Sequence, residues 1–102
     1  MTDVLNPEDC TTMPEVRAGV DDVDRKIIAL LARRFGYMDA AARIKPDRSV
    51  VRDEKRKAEV LDKIRGIAGD HGLPREVIAG LYDQLIEACI AYELDEFDRI
   101  RS

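Results

Sequence analysis

Residues 12–45 read TMPEVRAGVDDVDRKIIALLARRFGYMDAAARIK, and their spacing decides the fold. Met13, Val16, Val20, Val23, Ile27 and Leu30, then Tyr37, Ala41 and Ile44, recur at alternating steps of three and four. That is the heptad seam of an amphipathic helix. Thr12 is a natural N-cap, and Glu15 three residues on completes a capping box. The pattern stops at Lys45, because Pro46 disfavours helix in the residue before it and cannot continue the hydrogen-bond ladder.

Working outward, residues 1–11 form a polar lead-in and residues 12–102 one helical domain. Pro46–Val51 is a short loop. A second helix is expected from about Arg52 to Ala68, with Ala58, Leu61, Ile64 and Ile67/Ala68 inward. Gly69-Asp70-His71-Gly72 ends it, and Pro74 suits the first turn of a third helix that reaches about Arg99. Ile78, Leu81, Leu85, Cys89 and Phe97 mark its apolar stripe. The fold class is therefore all-α: three helices, the first unusually long.

At about 33 residues the first helix is ~50 Å long, whereas a compact domain of this size has a radius of gyration of only ~13 Å. Its seam needs a cover, and a second copy is the simplest one, so a homodimer is expected. The chain has 102 residues and a net charge of −4, which argues against a nucleic-acid partner. It lacks an apolar run long enough to span a membrane. MTDVLNPEDC has no signal-peptide order, so a cytoplasmic location is expected. Cys10 and Cys89 form neither a disulfide framework nor a metal spacing, so no metal is expected. His71 lies in a turn, where a structural role suffices.

Two charges interrupt apolar stripes. Arg34 sits in the first helix's seam, and a guanidinium there needs partners. It is either a register-setting residue paired with a carboxylate across the dimer or a receptor for a carboxylate ligand, which its rigid fork suits. Glu93 follows Leu81, Leu85 and Cys89 in steps of four. It is either paired with Arg34, Arg56 or Lys45, or is a protonated acid that donates a hydrogen bond inside a pocket. Lys45 follows Arg34 by eleven residues, nearly the same helix face, ~16 Å along the axis. Arg17 lies ~25 Å before Arg34, too far to share a small ligand within one chain, yet an antiparallel partner could bring it back. Cys89, one turn from Glu93, reads as packing or pocket lining. Cations plus one acid, without a nucleophile, suit an anionic substrate whose reaction needs binding and charge stabilisation alone.

The order of these residues resembles a known family. Arg17; Asp21-Asp22-Val23-Asp24; Ile27 through Arg33-Arg34; Lys45; Val51-Arg52-Asp53-Glu54-Lys55-Arg56; and Ile86-Glu87-Ala88-Cys89 leading to Glu93 are similar to the all-helical chorismate mutases over about residues 14–100. Pro7-Glu8-Asp9-Cys10 is similar to the related isochorismate-pyruvate lyases. The resemblance implies three helices interlocked as a homodimer with shared active sites, and a pericyclic rearrangement of chorismate to prephenate without cofactor. It implies that Arg17 of the partner subunit and Arg34 hold the substrate's two carboxylates, Arg56 orients them, Lys45 contacts the ether oxygen and a carboxylate, Asp53 meets the ring-hydroxyl region and Cys89 lines the pocket. The chain departs from the family at Glu93, where Gln is frequent, and at Lys57, where Glu is frequent at the ring-hydroxyl side. The competing readings are an isochorismate-pyruvate lyase with the same cationic pocket and a non-catalytic helical dimer.

Overall fold

A computed structural model describes residues 4–102, so residues 1–3 of the expected lead-in lie outside the described residues. The described residues form three α-helices and no strand: α1 (Met13–Ile44), α2 (Glu54–Asp70) and α3 (Arg75–Arg101), with short 3₁₀ turns at Pro7–Asp9 and Arg48–Val50. No described helix is long and apolar enough to cross a membrane. The chain divides into two compact units, one up to Gly36 and the other Tyr37–Ser102.

In the first unit the capping box closes as the sequence specifies. The Glu15 N–H donates to Thr12 Oγ1 at 3.4 Å, and the Thr12 N–H donates to Glu15 Oε1 at 2.9 Å. Hydrogen bonds from Thr11 and Thr12 hold the Glu15 carboxyl below its ordinary range. Part of the lead-in borders a groove of about 460 Å³, together with Val16, Gly19, Val20 and Val23 of α1. Farther along, the α1 seam stays open in the single chain: Ile27 and Leu30 are exposed, Leu30 to 63%.

The second unit holds the core. Ala42 at the end of α1, Val51 of the connecting segment, and Ile86, Ile90 and Phe97 of α3 are buried together, with Val60, Leu61 and Leu94 packed against them. Full burial of one such large side chain contributes roughly 1.5–3 kcal/mol, so the cluster dominates the unit's stability. Arg101 closes it: its guanidinium donates to the carbonyls of Ala42 (2.9 Å) and Lys45 (2.8 Å), open acceptors at the end of α1, and lies 3.5 Å from the Phe97 ring centroid.

Three expectations are corrected. Helix α2 starts at Glu54 rather than Arg52, because Asp53 is extended and its carboxylate caps the helix by accepting from the Arg56 N–H at 3.0 Å. Ala58 and Ile67 are exposed, and the inner face of α2 runs instead through Lys57, Val60, Leu61, Ile64 and Ala68. Leu81 is 60% exposed. A step of four residues turns the helix by 400°, so the expected stripe drifts 40° per step, and Leu81 and Phe97 end ~160° apart. The buried face of α3 is Ala79, Ile86, Cys89, Ile90, Glu93 and Phe97. The α2 C-terminus is closed by Gly72 at φ 70°, with the Leu73 N–H donating to the Ala68 carbonyl and the Gly72 N–H to Gly69. This is a Schellman turn that requires glycine's left-handed freedom.

Candidate active site

Glu93 is the one buried charged residue among those described, 4% exposed. It is inward because α3 turns it onto the face carrying Ile86, Ile90 and Phe97. The Lys45 ammonium lies 2.8 Å from Glu93 Oε2. The distance is that of an ion pair, although the contact is not directed as a hydrogen bond. Lys45 also donates to the Val51 carbonyl at 3.2 Å. Pro46 ends α1 just after Lys45, and the connecting segment then returns Val51 to the same ammonium. Of the partners the sequence left open for Glu93, Lys45 is the one this contact supplies. Cys89 is buried one turn earlier on α3.

A second group of charges flanks this pair, and sequence reasoning missed most of it. Arg52 forks onto Glu87, with contacts of 2.8 and 3.0 Å, and reaches Glu54 at 2.8 Å. The Lys57 ammonium lies 2.8 Å from Asp83 and 2.9 Å from Glu87. The Arg52 and Lys57 cations hold the Glu87 carboxyl down at about 2. Hydrogen bonds from Lys57 to Asp83 and then Glu87 push the ammonium up, and Glu87 with Glu54 does the same to the Arg52 guanidinium. The lysine that departs from the family pattern is thus committed to two carboxylates of α3. The signal in the sequence was faint: cations and carboxylates sit 30 and 35 residues apart, a separation no helical period links.

Asp53 spends one oxygen on the α2 cap. Arg56 is exposed, 3.9 Å from Glu59. Arg17 is exposed and Arg34 half-buried, both on α1 within the first unit. None of the expected site residues lines the groove of the first unit. On the loop, Arg48 donates to Asp98 at 3.0 Å, and on the C-terminal part of α1 Asp39 accepts from the Tyr92 hydroxyl at 2.7 Å, which pushes that phenol up.

Comparison with known proteins decides the family. A family model described as chorismate mutase type II matches residues 16–94. The chain belongs to the type II chorismate mutase family. Membership makes it an enzyme of the isomerase class. It is similar to an isochorismate pyruvate lyase of Pseudomonas aeruginosa, 32% identical over 93% of this chain and 94% of the relative. It is also similar to a chorismate mutase of Methanocaldococcus jannaschii, 28% identical over 74% of this chain and 77% of the relative. The family match runs from Val16 to Leu94, so it includes every expected site residue from Arg17 to Glu93.

Proposed function

We propose that the chain rearranges chorismate to prephenate in sites shared between two copies, with Lys45 and Glu93 supplying the charge stabilisation. The observation that carries this is the Lys45–Glu93 pair: a cation 2.8 Å from a buried acid, in a member of the chorismate mutase family. The dimer is supported by the row of exposed apolar side chains along the α1 seam, since a contiguous exposed apolar surface marks an interaction site. Arg34 and Arg17 of the partner subunit hold the two carboxylates by bidentate contacts, Arg56 in the first turn of α2 orients them, and Asp53 at its N-cap meets the ring-hydroxyl region. Cys89 lines the wall beside Glu93.

Holding the substrate in its folded chair removes most of the orientational cost. The ether C–O bond breaks as the new C–C bond forms, and negative charge gathers on the ether oxygen. Lys45 donates to that oxygen, as does Glu93 in its protonated form, an arrangement of preorganised donors. Substrate competes with Glu93 for the Lys45 ammonium. No group on the protein forms a covalent bond with substrate.

A second reading is favoured by the 32% identity to the lyase: elimination of pyruvate from isochorismate in the same cationic pocket. Lys45→Met tests the proposal. It should abolish prephenate formation from chorismate and leave helical content unchanged. A folded variant that keeps the wild-type rate overturns the role of the pair.

A further inference from the structure

The catalytic ammonium of the proposed site has two ligands, and only one of them sits on α3. The Glu93 carboxylate comes from the helix, but the Val51 carbonyl comes from the connecting segment. Where that carbonyl lies depends on what holds the segment. Val51 is anchored on one side by burial of its own side chain and by its N–H donating to Arg48 at 3.2 Å. On the other side stands Arg52. Its guanidinium is exposed enough to move, yet both of its terminal nitrogens are taken by Glu87 of α3. Glu87 also takes Lys57 from the first turns of α2, and Asp83 grips the same ammonium. One carboxylate on α3 therefore ties down both the residue after Val51 and the start of α2.

We propose that Glu87 is a positioning residue for the Lys45–Glu93 centre: by clamping Arg52 and Lys57 to α3 it sets where the Val51 carbonyl meets the Lys45 ammonium. The proposal rests on the reading of Lys45 as the catalytic cation. It accounts for the departure at Lys57 without assigning that residue to substrate. With two carboxylates of α3 facing it, a glutamate at position 57 would bring a third negative charge into the cluster, and lysine is the side chain that joins the helices there. Arg52 carries the link to Val51 by direct covalent adjacency, and its fork gives orientation that a point charge would not.

The test uses Glu87→Ala and, should that fold poorly, Glu87→Gln. The Arg52→Lys variant keeps the charge but loses the fork. Each full-length variant is treated with an amine-acetylating reagent, and modification of each lysine is followed by mass spectrometry, with Lys26 and Lys63 as internal references. Loss of the clamp frees Lys45, whose acetylation should rise about threefold or more relative to both references. In parallel, kcat on chorismate should fall about tenfold or more while KM shifts less, because the carboxylate-binding arginines are untouched. Unchanged Lys45 acetylation overturns the proposal, and so does a rise shared equally by Lys26 and Lys63, which would show general loosening. If the unsubstituted protein does not act on chorismate, the proposed function fails, and the acetylation ratio still decides for or against the clamp.

Discussion

Replacing Glu93 by Gln separates the two jobs a buried acid can do. The Lys45 ammonium stands 2.8 Å from the Glu93 carboxylate. During reaction the same side chain is proposed to donate a hydrogen bond, and that requires a proton. The required form is the protonated one, so activity is present at low pH and is lost as pH rises. One proton per site gives a tenfold fall in kcat/KM per pH unit above the transition. Removal of one donor to a developing oxyanion costs about 2.7–4 kcal/mol, a factor of about 100 to 1000, so at the alkaline end the wild-type protein should approach the rate of Glu93→Ala. A glutamine carries its N–H donors at every pH. Glu93→Gln should hold an even rate between about pH 5 and pH 8 and overtake the wild type at the alkaline end. The assay is the loss of chorismate absorbance at matched ionic strength. A Glu93→Gln profile that falls in parallel with the wild type refutes the reasoning, as does a folded Glu93→Gln protein that is inactive throughout.

Other outcomes follow from the same geometry. Arg17→Ala and Arg34→Ala subunits, each nearly inactive alone, should regain activity when refolded together, since a mixed dimer contains one site with both defects and one with neither. Hybrid dimers without activity contradict shared sites. Arg101→Ala removes two hydrogen bonds to the end of α1 and the contact with Phe97, and should cost about 2 kcal/mol, read as a lowered denaturation midpoint. Glu87 has a folded-state value of about 2 against an ordinary 4.5. Its contribution to stability is therefore present above the ordinary value and is lost as pH falls from there towards about 2. Glu87→Gln should remove that part of the acid dependence of the melting temperature.

The path of the chain was legible in residues 12–45, because a heptad seam, a capping box and a proline stop all gave the same answer. The observed α1, Met13–Ile44, begins right after the expected cap Thr12 and ends one residue before Lys45. The start of α2 was less clear. Arg52 and Asp53 were read as the first residues of the helix, yet Asp53 serves it by capping it from outside. Inward faces were harder still. Ala58 looked like core for being apolar, whereas Lys57, 19% exposed in its side chain, occupies the inner face with its ammonium turned to Asp83 and Glu87. The drift of a four-residue step likewise took Leu81 away from the face that buries Phe97. At the site, the burial of Glu93 was legible because a carboxylate interrupted an apolar stripe. Its partner was narrowed to Arg34, Arg56 or Lys45, and only the packing of the end of α1 against α3 selects Lys45. The ion cluster around Glu87 depends on the packing of α2 against α3, and no local pattern announces it.

The most direct test of the central claim is product formation by the purified protein given chorismate and isochorismate separately, at about pH 5 and about pH 8. The account predicts prephenate from chorismate, faster at the lower pH, and little salicylate or pyruvate from isochorismate. Salicylate and pyruvate from isochorismate, with chorismate left unchanged, would contradict it and assign the Lys45–Glu93 centre to the lyase reaction.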